Sequence, residues 1–434
     1  MNAQGPTGRP HPAGTTGQGG TPGTPRVLRT MNDRAALDLL LARGPLSRTR
    51  IGTLTGLSKP TASQLLARLE AAGLVVATGT TEGGPGPNAQ LYAVNPAAAH
   101  AAGLDVRPEG IRAAVADITG RTVGEFALRT PGRRTARPVV DLVTEALDGA
   151  TADAGLTRSE VHRLVIGTPG AFDPTTGRLR YASHLPGWHA PSLLDELAAA
   201  LPMPVEYEND VNLVALAEQR LGAGRGHEDF VLLWNEDGLG AALVLGGRLH
   251  RGWTGGAGEV GFLPVPGAPL MRQVTRTNSG GYQELAGAQV VARLARSFGI
   301  APVPEGSHPE VAAALIGRAA ARFDARDAPA PSRHRGHSDD AHEDLLRTYA
   351  TGLATGLASL VSVLDPELIV LSGSVLAAGG EVLRSLVEAE LRDLAAPRPR
   401  LVVGEVRGHP VLRGALESAL AATRDEVFDT SRAP

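Results

Sequence analysis

The chain has 434 residues, 42 Lys and Arg against 45 Asp and Glu, and no cysteine. That length exceeds one small core and suits two or three, while the missing thiols exclude disulfides, thiolate metal sites and cysteine nucleophiles together. No run of roughly 18 uncharged apolar residues is present, so no membrane-spanning helix is expected and the reading is a cytoplasmic protein.

Residues 1–30 begin with a Gly-, Pro- and Thr-rich stretch lacking an apolar h-region, which predicts a disordered segment and not a signal peptide. Residues 31–81 predict a winged helix-turn-helix. Gly56 permits a sharp turn, Ser58 can cap the second helix, and Pro60 sits in its first turn, where a missing N–H costs nothing. Ala62, Leu65, Leu66 and Leu69 share one helical face that must pack inward. Thr61, Ser63, Gln64 and Arg68 are left outward with Lys59 at the helix start, and Gly73-Leu-Val-Val76 followed by Thr78-Gly-Thr-Thr81 supplies the strand and turn of a wing. Such short polar and cationic groups suit phosphates and base edges. With Arg48 and Ser58 they form the candidate DNA-binding set: Arg48, Ser58, Lys59, Thr61, Ser63, Gln64 and Arg68. The bland alternative is an amphipathic helix pair within a larger core. Charge favours the DNA reading. Residues 1–79 hold nine Lys or Arg against three acids, a net of +6, so with the whole chain at −3 the remainder carries −9. Lys59 is the sole lysine, a bias that fits a GC-rich genome and carries no function by itself.

Residues 82–96 read as a turn-rich connector ending in a short strand, Gln90–Asn95. Strands over 101–106, 112–117 and 123–129, a helix over 139–154 and a strand over 163–167 then alternate as in an α/β fold with partly parallel sheets. A second lobe, residues 211–434 after a first of 97–210, is expected to hold strands at 230–234 and 240–245 and a helix-strand unit over 349–371. Residues 324–343 lack periodicity and read as a mobile loop, in which His334, His337 and His342 are solvated and not metal ligands.

Three body segments carry chemistry. Ile166-Gly-Thr-Pro-Gly170 precedes Ser183-His-Leu-Pro-Gly-Trp188; Val205-Glu-Tyr-Glu-Asn-Asp-Val-Asn212 follows; Gly238-Leu-Gly240 leads to Gly255-Gly-Ala-Gly-Glu-Val-Gly261. A Gly-X-Pro-Gly loop exposes backbone N–H groups, and Asn209, Asp210, Glu259 and Glu284 can converge as the paired acceptors that vicinal sugar hydroxyls need, with Trp188 offering an apolar ring. In this order, and with the helix-turn-helix ahead of them, the segments resemble the ROK family of sugar-responsive repressors and sugar kinases. The resemblance runs from residue 31 to the C-terminus. It implies a two-lobed, actin-like, sugar-kinase-like (RNase H-like) α/β body and an effector site at Gly170, His184, Asn209, Asp210, Glu259 and Glu284. By the same resemblance Asp210 matches the carboxylate that serves as base in the kinases.

Departures from the pattern matter equally. Family kinases cradle ATP phosphates with a Gly-Gly-Thr turn where this chain reads Asp105-Val-Arg-Pro-Glu-Gly110, and with a Gly-Thr-Gly loop where it reads Asn235-Glu-Asp-Gly238. Carboxylates there repel a triphosphate, each by at most about 4 kcal/mol at about 4 Å, so phosphoryl transfer is expected to be lost. The family's zinc ligands align with Phe262, Thr275, Thr277 and Tyr282, none of which replaces imidazole or thiolate. His184 stands where the family usually presents asparagine. The expectation is therefore a non-enzymatic regulator, a repressor without cofactor or metal. Its partners are operator DNA and a sugar or sugar-derivative effector, and it acts as a homodimer or homotetramer on a palindromic site. A sugar kinase with an accessory DNA head, or control by a protein partner, remains the alternative.

Overall fold

The computed structural model describes residues 25–80, 89–130, 137–173, 178–180, 185, 187–271, 280–327 and 337–430. They form two compact units: residues 1–94 with 427–434, called the head, and residues 95–426, called the body.

The head begins with α1 (Pro25–Arg43), so the helix starts inside the segment expected to be disordered. β1 (Leu46–Ser47), α2 (Arg48–Thr55), α3 (Lys59–Ala71), β2 (Val75–Thr80) and β3 (Gln90–Val94) follow. Ser47 caps α2 by accepting from the Arg50 N–H at 3.3 Å, and Gly56 ends it at φ +71°, a conformation only glycine adopts without strain. Ser58 caps α3 through the Thr61 N–H, and Ala62, Leu65, Leu66 and Leu69 are buried as their spacing predicts. The three strands form one antiparallel sheet in the order β1-β3-β2, so Gln90–Val94 is a wing strand of the head. The C-terminal residues complete this unit: Phe428 is fully buried, the Arg34 guanidinium lies 5.8 Å from its ring centroid, and the Thr430 hydroxyl donates to Asp33 at 3.0 Å.

The body repeats one topology twice. In the first lobe β4 (His100–Arg107), β5 (Gly110–Asp117) and β6 (Thr122–Arg129) make an antiparallel meander. After α4 (Val139–Asp153), β7 (Val161–Thr168) joins parallel to β4; past the hairpin β8 (Ala171–Asp173) and β9 (Arg178–Arg180) and helix α5 (Leu193–Ala200), β10 (Val205–Asn209) joins parallel to β7. After α6 (Asp210–Leu221), β11 (Phe230–Asn235), β12 (Leu239–Leu245) and β13 (Arg248–His250) repeat the meander. Helices α7 (Gly281–Ala286), α8 (Ala288–Ser297), α9 (His308–Asp327) and α10 (His337–Leu364) precede β14 (Leu368–Ser372), α11 (Ser374–Leu394), β15 (Arg400–Val403) and α12 (Pro410–Val427). Each lobe thus has a five-stranded sheet, β6-β5-β4-β7-β10 and β13-β12-β11-β14-β15. This duplicated mixed sheet with helices between and outside is the expected sugar-kinase-like α/β fold.

Alternation along the strands divides the core three ways. Leu104, Leu164 and Ile166 face α4 and α5. Val231, Leu233, Ile369 and Leu371 face the helical layer α7–α11. The opposite faces, Ala101 and Val165 on one sheet and Leu232 and Val370 on the other, enclose α6 and α12 through Leu213, Val214, Ala415 and Leu416. Helix α6 therefore begins at the cleft and runs between the two sheets. The expected loop at 324–343 is shorter at both ends: Asp324–Asp327 close α9 and His337–Glu343 open α10. His342 is buried with a ring nitrogen 3.3 Å from Arg322, because Leu345, Leu346 and Tyr349 continue a buried helical face beyond it. His334 lies outside the described residues.

Candidate functional site

In the head, Lys59, Thr61 and Gln64 are exposed on the first two turns of α3, and Arg48 is exposed at the start of α2. Ser63 is half-buried and returns its hydroxyl to the Lys59 carbonyl at 2.9 Å, while Ser58 shares a 2.8 Å hydrogen bond with the Thr61 hydroxyl. Arg68 is engaged inside the head: its Nε donates to Asp33 at 3.2 Å and its Nη2 pairs with the same carboxylate, which is 1% exposed. Asp33 thus joins α1, α3 and Thr430. A free +1 charge at the far end of α3 was the expectation; the structure supplies a buried partner for it.

In the body, a cavity of about 420 Å³ opens between the lobes, with Gly170, Asn209, Asp210 and Glu259 on its wall. Asn209 ends β10 and caps α6, its Oδ1 accepting from the N–H groups of Val211 (2.9 Å) and Asn212 (3.1 Å), and its Nδ2 donating to the Gly170 carbonyl at 3.0 Å. The strand-to-helix turn fixes Asp210 as the first residue of α6. Glu259 approaches from the second lobe on the glycine loop. Gly258 is required there, because a Cβ would stand 1.9 Å from the Ala241 carbonyl oxygen.

These carboxylates are hard to ionise. Burial raises Asp210 to about 7, with the charges of Asp105 and Glu259 adding to the rise and the Val211 N–H and Arg107 opposing it. Burial also raises Glu259 and Asp105, the latter against the pull of Arg107. Arg107 also lines the cavity and donates from Nε to Asp105 Oδ2 at 3.1 Å. In the sequence Pro108 and Glu109 mark this turn, and nothing local marks Arg107 as the partner of a buried acid.

Other expected site residues lie elsewhere. Glu284 pairs with Arg293, and its neighbour Gln283 is the α7 residue on the cavity wall, accepting from the Leu239 N–H at 2.7 Å. Trp188 is 6% exposed in the first lobe's core, edge-on to Tyr207 with ring centroids 6.0 Å apart, and does not face the cavity. His184 lies outside the described residues, as do Thr275 and Thr277. The two described positions of the family zinc set do not fit a metal. Tyr282 is fully buried and donates to the Leu353 carbonyl at 2.6 Å, and Phe262 lines the cavity as an apolar ring. Among the described residues no group of three acidic or imidazole side chains has metal-holding geometry, and no helix is long and apolar enough to cross a membrane.

A duplicated two-lobed body with polar groups converging on its cleft, joined to a winged-helix head, defines a sugar-kinase-like protein with a DNA-binding domain. The particular family follows from comparison: the chain belongs to the ROK family, whose pattern matches residues 101–422, and the MarR family pattern matches residues 30–84. A glucokinase from Halalkalibacterium halodurans is 28% identical over 305 residues, covering 68% of this chain and 86% of that protein. A xylose repressor from Caldicellulosiruptor bescii is 27% identical over 243 residues, 56% of this chain and 61% of that protein. The crystal structure of a ROK family transcriptional regulator, a homologue of the E. coli MLC protein, superimposes with a TM-score of 0.66 at 20% identity, covering 93% of this chain and 97% of that one. The architecture is that of a ROK transcriptional regulator with a winged-helix DNA-binding domain.

Proposed function

We propose that this protein is a sequence-specific repressor of carbohydrate-related genes, acting as a homo-oligomer, whose body binds a sugar or sugar derivative without phosphorylating it. The observation that carries the non-catalytic part is Glu236. Its carboxylate accepts from both the backbone N–H and the hydroxyl of Ser374, the latter at 2.7 Å, at the start of α11. A helix N-terminus is a natural phosphate-binding site, and here that of α11 is taken by the carboxylate of Glu236, itself on the cavity wall. On the wall of the same cavity Pro108 withholds an N–H and Glu109 adds a negative charge beside Arg107, which is itself paired with Asp105. Electrostatic stabilisation of a transferring phosphoryl group depends on donors aimed at it; this arrangement presents acceptors.

Support for the DNA part comes from Lys59, Thr61 and Gln64, exposed together on a capped helix in a MarR-type head, and from a relative described as a xylose repressor. Support for the effector comes from the cleft: Asn209 and Asp210 on one lobe and Glu259 on the other meet a cavity whose volume suits a monosaccharide. One observation favours the kinase reading. Asp210 at about 7 has the basicity of a working general base, and relatives include glucokinases. The two readings separate in one assay: the full chain is incubated with Mg-ATP and D-glucose or D-xylose and ADP is followed. No turnover above an Asp210→Asn control is expected; sugar-dependent ADP release abolished by that substitution would overturn the non-catalytic reading.

A further inference from the structure

We propose that Glu208 and Arg251 form an ionic clasp between the two lobes of the body, and that this pair positions the cavity walls carrying Asn209, Asp210 and Glu259. Neither residue lines the cavity itself. The two oxygens of the Glu208 carboxylate serve different partners, one the β10–α6 turn and the other Arg251 beyond β13. Oε1 accepts from the Asn209 N–H and from Asn212 Nδ2, each at 2.9 Å, and so fixes the turn from β10 into α6. Oε2 accepts from Arg251 Nε at 2.7 Å. Arg251 follows β13 in the second lobe, and its carbonyl accepts from the Ala257 N–H at 3.1 Å, closing the loop that leads directly to Gly258 and Glu259.

The geometry distinguishes this pair from ordinary surface ion pairs. The Glu208 side chain is 11% exposed and has each oxygen engaged. A second cavity of about 320 Å³ lies behind the pair; Glu208, Asn212 and Arg251 line it, and it shares only Asn209 and Gly255 with the effector cavity. The space behind the clasp leaves the lobes room to move there, so a specific bond, not close packing, sets their separation at this point. A charge-assisted pair with a nearly buried partner is strong enough for that role. Truncating its cationic end removes this constraint at the cleft, while the core shared by the two sheets around α6 and α12 keeps the lobes joined.

The chain's lack of cysteine makes the test direct. Asp141→Cys on α4 and Arg296→Cys on α8, both exposed and on different lobes, accept spin labels in the full chain, and double electron–electron resonance reads the interlobe distance without any effector. With Arg251 in place a single narrow distribution is expected. Arg251→Leu shifts it to longer distances and broadens it while lowering the melting temperature only modestly, because the hydrophobic cores persist, and Arg251→Lys restores the narrow distribution. An unchanged distribution in Arg251→Leu, or equal broadening in Arg251→Lys, overturns the clasp. The consequence for effector binding rests on the function proposed above; because no effector is present in the measurement, failure of that proposal and failure of the clasp are distinguishable.

Discussion

Phe428→Ala tests whether the C-terminal residues are part of the DNA-binding head. Phe428 follows α12, is fully buried, and belongs to the same compact unit as α1–α3. Truncating a buried phenylalanine to alanine costs about 3–5 kcal/mol, and losing the ring beneath the Arg34 guanidinium adds about 0.5 kcal/mol at a partly exposed site. A core as small as that of the head rarely supplies more than about 3–5 kcal/mol in total, so the substitution consumes most of its margin. Since each 1.4 kcal/mol is about tenfold in an equilibrium, opening of the head should become about 300- to 10⁴-fold more frequent. Hydrogen exchange with mass spectrometry on the full chain reads this locally. Peptides of α1 and α3 containing Leu37, Leu40, Leu65, Leu66 and Leu69 should exchange faster by that factor, while β11 and β14 in the body remain protected. Unchanged exchange in α1 and α3 would refute the assignment of these residues to the head.

Further outcomes are expected at the DNA face and in the cleft. Lys59→Ala should weaken binding to all sequences alike and reduce the salt slope of DNA binding by about one, whereas Gln64→Ala should alter which sequence is preferred; competition binding across a range of salt and against variant sites separates the two. Asp210 holds its proton up to about 7 in the folded chain against an ordinary value of 3.8, so the folded state binds more protons than the unfolded one between those values. The stabilisation from its protonated form is complete below its ordinary value and declines as pH rises to about 7, then stays flat. Relative to Asp210→Asn, the wild type should therefore lose unfolding midpoint from pH 5 to pH 8, and a parallel course of the two proteins would show that Asp210 is not the group responsible.

Local chemistry was legible in the sequence where contacts are local. The Ala62, Leu65, Leu66, Leu69 period and the Ser58 cap describe α3 because each depends on neighbours within a turn. The strand alternation likewise foretold both sheets, although crossover and register came only with the structure. What escaped depends on distant partners. Asp33 meets Thr430 across 397 positions, and no periodicity announces that. Arg68 has the composition of a phosphate contact, yet a buried carboxylate on another helix claims it. At Gln283 and Glu284 family spacing points to the glutamate, while a single helical step of about 100° puts the glutamine on the cavity wall. Trp188 reads as a ring for a ligand in a Gly-rich segment, and only packing against Tyr207 places it in the core.

The central claim is that occupancy of the cleft and occupancy of the operator are linked. An operator selected from randomised DNA is titrated with the full chain by fluorescence anisotropy, alone and with saturating D-xylose, D-glucose or another sugar that calorimetry shows to bind. Linkage predicts that one such sugar shifts operator affinity by about 5- to 150-fold, that the operator shifts the sugar's affinity by the same factor, and that Asp210→Ala and Glu259→Ala retain operator binding but abolish the shift. A bound sugar that leaves operator affinity unchanged, or a full response persisting in both variants, would contradict the account.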